Sequence, residues 1–136
     1  MPHIFISYRR EDSAGYAGRL YDRLSAHFGA ESVFMDIDTI APGLDCIEGI
    51  EEAISRCDIL LVLIGKRWLS MTDASGQRRL DNPQDFVFLE VKAGLERNIR
   101  VIPVLVGGAI MPSAQELPTA LSNLARRHTF EISDTR

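Results

Sequence analysis

The apolar residues of this chain fall into two kinds of run, and the two kinds take turns. Residues 59–64 (Ile-Leu-Leu-Val-Leu-Ile) are apolar without interruption, the pattern of a strand covered on both faces at the centre of a parallel sheet. Residues 3–7, 33–35 and 99–106 read as three further strands, and 128–132 as a short last one. Between the runs, apolar residues recur at helical spacing. Ala17, Leu20, Leu24 and Phe28 precede Gly29, while Ile47, Ile50, Ile54 and Cys57 follow a capping Asp45. Val87, Val91 and Leu95 mark a third helix over 85–97, and Leu117, Leu121 and Leu124 a last one around Pro118. Asp12 or Ser13 can cap the first helix, and Asn82-Pro83 with Asp81 and Asp85 suits the start of the third. Strands alternating with helices argue an α/β domain. Right-handed crossovers leave few topologies, and the expected one is a flavodoxin-like three-layer domain with a five-stranded parallel sheet in the order 2-1-3-4-5.

In such a sheet ligands bind beyond the carboxyl ends of the strands, and the chemically loaded stretches all follow strands. Tyr8 to Asp12 follow the first, Asp36 to Asp45 the second, and Trp68 to Glu90 the third. The connection over 65–83 is long for a small domain, a feature of functional or mobile segments. Phe86 and Glu90 lie four apart, so a ring and a carboxylate share one helix face. Glu90 is the only charge between Asp85 and Lys92, and a carboxylate in apolar surroundings is a candidate site group. The plainer alternative is a carboxylate at the helix edge, paired with Lys92 or Arg97. Phe88 and Leu89 face away from the Val87–Val91 stripe and are expected to form an exposed contact surface, or else to lie under the 65–83 connection. Pro42-Gly43 is a turn signal with Gly43 at positive φ. Asp38 reads as a turn former, and Trp68 as a packing residue.

Composition narrows the picture further. A chain of 136 residues, 46% hydrophobic and 25% charged, is ordinary for one globular domain. Residues 1–136 are expected to form that single domain, which a longer protein could also carry. A net charge of −4 and no basic tract argue against nucleic-acid binding. No apolar run reaches the roughly 18 residues of a membrane span, and the chain enters its first strand without a signal-peptide pattern, so a cytoplasmic setting is expected. Cys46 and Cys57 lack metal-ligand or redox spacing and His3, His27 and His128 are scattered; buried thiols and no metal site are expected. Neither dinucleotide-binding nor phosphate-loop glycine patterns occur, nor a G-x-S-x-G nucleophile. Gly65-Lys66 stand where a phospho-receiver needs an acidic acceptor.

Phe5-Ile6-Ser7-Tyr8-Arg9-Arg10 resembles the first box of Toll/interleukin-1 receptor (TIR) domains. Phe34-Met35-Asp36 with Pro42-Gly43 resembles their second box and its BB loop. Asp85-Phe86-Val87-Phe88-Leu89-Glu90 resembles the aromatic-x-x-x-Glu segment of the TIR domains that hydrolyse NAD, and Ile102-Pro103-Val104 is similar to their fourth strand. The similarity spans essentially the whole chain, and the text around Trp68 and Asp81–Asp85 is closer to bacterial than to animal members.

The resemblance implies a role for each matching residue. Glu90 takes the place of the catalytic carboxylate and Phe86 that of an aromatic stacking on the ligand. Tyr8, Arg9, Arg10, Asp36 and Gly43 take substrate-binding positions. Pro42, Gly43, Phe88 and Leu89 would serve homotypic, head-to-tail TIR assembly. NAD would be the substrate, with no cofactor. One carboxylate suffices for that chemistry: nicotinamide departs neutral from a cationic pyridinium, so the general acid of an ordinary glycosidase is not needed. The family holds both enzymes and adaptors. Two functions therefore stand: an NAD glycohydrolase or ADP-ribosyl cyclase in bacterial immune or stress signalling, and a non-catalytic module that signals by assembly.

Overall fold

A computed structural model describes residues 2–35 and 45–133, the side chain of Cys46 excepted. Asp36, Asp38, Pro42 and Gly43 lie outside the described residues, so the expectations attached to them, including positive φ at Gly43, do too. Strand β1 (Ile4–Ser7) leads to helix α1 (Arg10–Phe28), then β2 (Val33–Phe34) and α2 (Cys46–Ser55). Strand β3 (Ile59–Ile64), helix α3 (Phe86–Glu96), β4 (Arg100–Leu105) and β5 (Phe130–Glu131) complete the series. All pairings are parallel, in the order β2-β1-β3-β4-β5. Ile59 pairs with Ile4 on one side and Arg100 on the other, which makes β3 the central strand.

The uninterrupted apolar text of β3 divides by the period-2 rule of strands. Leu60, Val62 and Ile64 enter a core shared with α2, α3 and the last 3₁₀ segment. Leu63, with Leu61 beside it, enters the core under α1, built on Ile6, Ala17 and Val33. Both faces are therefore covered, giving three layers. Gly94 lets α3 sit tightly on this sheet: a Cβ there would come within 2.5 Å of Leu60 Cδ2.

Several local expectations are corrected. Neither Asp12 nor Ser13 caps α1, which starts earlier, at Arg10, with no side-chain cap. The Asp12 carboxylate instead accepts from the backbone N–H groups of Gly65 and Arg67 at 2.9 and 2.8 Å. Ser13 departs from helical geometry (φ −147°). The last helical stripe winds as a 3₁₀ helix, Thr119–Arg126. Leu121 and Leu124 are three apart and both fully buried, and a three-residue repeat aligns them better than an α-helical one. Ile47 is 39% exposed, unlike its neighbours Ile50, Ile54 and Cys57.

The exposed pair expected at Phe88 and Leu89 is not found. Phe88 is buried in the same core as Trp68 and Leu80, and Leu89 packs half-buried against it. The 65–83 connection turns inward to supply that cover: Trp68 and Leu80 are fully buried. Thr72 and Arg78 close it with an antiparallel bridge.

Candidate functional site

The site forms where β1 and α3 meet at the carboxyl edge of the sheet. β1 ends at Ser7, and Tyr8 and Arg9 carry the chain over the rim into α1. On the other side, Asp85 caps α3, its Oδ2 accepting from Phe88 N at 3.0 Å. Tyr8, Arg9, Arg10, Phe86 and Glu90 line one cleft of about 240 Å³, joined by Glu11, Met35, Arg79, Asp85 and Val87. Every described residue expected to act on substrate is thus in one place. Phe88 and Leu89, expected to serve assembly, are not among the lining residues.

Glu90 is 5% exposed, on a helix whose other buried residues are Val87, Phe88, Val91, Ala93 and Gly94. Lys92, one turn from Glu96, forms an ion pair with it at 3.1 Å. Phe86 is 37% exposed, so its ring is at the mouth and available for contact while the carboxylate lies deeper. Arg10 is exposed at the rim, whereas Arg9 is buried.

Two ion pairs stitch the cleft together, and neither was legible beforehand. Arg9 donates to both carboxylate oxygens of Asp85, Nη1 at 2.6 Å and Nη2 at 3.0 Å. Arg79, from the long connection, donates to Glu11 at 3.1 Å. The Glu11 carboxyl is held below its ordinary range, first by a hydrogen bond from its own backbone N–H, then by Arg79. The only signal for the first pair was Asp85 as an acid at the start of the third helix; that signal says nothing about Arg9, seventy-six positions away. Arg79 carried no signal, since a basic residue in a loop is ordinarily solvated. Among the described residues, no group of three or more His, Cys, Asp or Glu side chains is arranged to hold a metal. No helix among them is long and apolar enough to cross a membrane.

The profile of the TIR domain family matches residues 4–135. The chain belongs to the TIR domain family. Among solved structures it is similar to the TIR domains of the activated Roq1 resistosome, a structure described as directly recognising the pathogen effector XopQ. That likeness has a TM-score of 0.70 at 16% identity and covers 99% of this chain and 90% of the other. At that identity it establishes the TIR fold and nothing finer. No curated protein matched this TIR domain.

Proposed function

We propose that this TIR domain cleaves the bond between nicotinamide and ribose in NAD, releasing nicotinamide and either ADP-ribose or a cyclised product. The observation that carries the proposal is Glu90, a carboxylate 5% exposed that lines a cleft beside Phe86. A buried carboxylate is costly in an apolar helix, and such groups concentrate where chemistry needs them. As the C–N bond breaks, its electron pair leaves with nicotinamide and positive charge develops on the ribose. Glu90 supplies negative charge beside that oxocarbenium in a site of low dielectric. Water attacks the anomeric carbon and loses a proton to solvent, or an internal nucleophile of the substrate closes a ring.

Phe86 offers an open face for stacking the nicotinamide or adenine ring, and exposed Arg10 offers a cation to the diphosphate. The cleft, about 240 Å³, falls below the roughly 300–1,000 Å³ typical of drug-sized ligands. It suits the nicotinamide riboside end, with the adenosine end reaching beyond it. Signalling by depletion of NAD, or by its product, in an immune or stress response is the setting that fits this activity.

The test is nicotinamide release by the purified protein and by Glu90→Gln. The variant should lose roughly 100-fold or more of the rate, as loss of a transition-state charge partner does, with little change in melting temperature. Unchanged turnover in the variant would rule out the role of Glu90. A second function, assembly without catalysis, is favoured by two exposed apolar residues, Ile110 at 87% and Phe130 at 62%. Self-association in light scattering together with no nicotinamide release from the parent would select it.

A further inference from the structure

We infer that Arg9 is a positioning residue, which acts on Glu90 through Asp85 and does not hold substrate. The inference rests on the NAD-cleaving function proposed above, and it assigns Arg9 a different task from the substrate contact that the resemblance to TIR domains implies. Three observations carry it. The Arg9 side chain is 5% exposed, and both of its terminal nitrogens already bond Asp85, at 2.6 and 3.0 Å. The fork uses two of its five N–H groups, and in a side chain this buried the other three have little access to a diphosphate in the cleft; Nε is itself buried, with no partner among the described residues. Exposed Arg10, by contrast, is in none of the ion pairs formed among the described residues.

Asp85 has a double task. While its carboxylate takes the fork of Arg9, Oδ2 also accepts from Phe88 N and caps α3. The carbonyl of Arg9 meanwhile accepts from the N–H groups of Asp12 and Ser13, at 2.9 and 3.0 Å, in the first turn of α1. One bidentate pair therefore clamps the N-terminal end of α3 to the N-terminal end of α1, buried in the lining of the cleft. Phe86 and Glu90 stand one and five residues beyond Asp85. Any rotation of that first turn would carry the ring and the carboxylate together. Bidentate pairing restricts rotation in a way a single contact cannot, which is why an arginine suits this position better than a lysine.

Asp85→Asn separates the two tasks of the aspartate, because asparagine caps a helix as well as aspartate does but cannot pair with a guanidinium as an ion. The experiment measures nicotinamide release over a range of NAD concentrations for the parent, Asp85→Asn, Arg9→Lys and Arg9→Met, each shown by its unfolding curve to be fully folded at the assay temperature. Crystal structures of the parent and Asp85→Asn give the position of the Glu90 carboxylate. For a positioning role kcat should fall, by about 100-fold for a displacement near 1 Å, with KM unchanged within about twofold. Arg9→Lys should recover part of what Arg9→Met loses, and the Glu90 carboxylate should be displaced in Asp85→Asn.

If instead Arg9→Met raises KM about tenfold or more with kcat unchanged, Arg9 holds substrate and the inference is overturned. A Glu90 carboxylate that stays in place in Asp85→Asn, with full kcat, also overturns it. A parent protein that releases no nicotinamide refutes the enzymatic function itself, a result distinct from either of these. Should Arg9→Met fail to fold, Asp85→Asn and Arg9→Lys still decide between the two roles.

Discussion

Phe86 and Cys57 show how one side chain's burial sets what it can do. The Phe86 ring is 37% exposed and belongs to neither core cluster. Its removal should therefore cost much less than the roughly 3–5 kcal/mol of a fully buried phenylalanine. Phe86→Ala is expected to raise KM for NAD while its melting temperature stays within a few degrees of the parent. Cys57 is the opposite case. It is 4% exposed, and burial pushes its thiol up to about 11. The folded protein thus favours the neutral thiol more than the unfolded chain does. The sign follows from linkage: this stabilisation is complete below the unfolded thiol's value near 9 and is lost as pH rises through about 11. The unfolding free energy of the parent should fall faster over that interval than that of Cys57→Ala, as urea titrations at successive pH values would register.

At the scale of elements, the loop after β3 and the first turn of α1 hold each other in place. Asp12 grips the N–H groups of Gly65 and Arg67, and the Arg67 guanidinium donates to the Glu11 carbonyl at 3.1 Å. This fixes the start of the long connection that brings Arg79 to Glu11 and Trp68 into the core that holds Phe88. Gly65 is required by space: a Cβ would stand 2.5 Å from both Asp12 carboxylate oxygens and 2.7 Å from its Cγ. That carboxylate is tied by two hydrogen bonds and cannot simply swing aside. Gly65→Ala should destabilise the domain by about 1–3 kcal/mol, in the range of overpacked sites. Asp12→Ala should remove most of the further loss when combined with it, since the clash and the lost bonds share one partner. A double-mutant cycle by chemical denaturation measures this coupling.

For the whole molecule, the burial of Phe88 decides which surface is open to another copy. Phe88→Arg would drive a cation into the core of Trp68, Leu80 and Val91, and a loss of about 4 kcal/mol or more is expected from burying an unpaired charge. Low soluble yield and a lost circular-dichroism signal should follow, with no folded monomer left to assay. The exposed apolar side chain at the sheet's edge is Phe130 on β5, and edge strands offer unpaired backbone to a neighbour. If the domain works as an assembly, specific activity should rise with protein concentration, and Phe130→Asp should flatten that rise while the fold persists. Constant specific activity across a dilution series in both proteins would leave assembly without a role in catalysis.

The sequence by itself determined the topology, because alternation of strand-length apolar runs with helical stripes admits few connected arrangements. It determined the central place of 59–64 as well, since only a strand covered on both faces can be apolar throughout. Topology placed the stretches holding Tyr8, Arg9, Arg10, Phe86 and Glu90 at one rim, as they follow strands or lie near a helix start, and the resemblance to TIR domains singled out these residues within them. Tertiary structure alone decided what the side chains around them touch. Arg9 and Asp85 meet across seventy-six positions, and no local pattern encodes a contact of that range. Asp12 could cap α1 by its chemistry, but two backbone donors of the loop after β3 claim it. Phe88 looked exposed by helical periodicity, which assumes one buried face; the inward turn of the 65–83 connection buries a second. A helix covered on two sides loses the amphipathic signal, because what lies against its outer face comes from elsewhere in the chain.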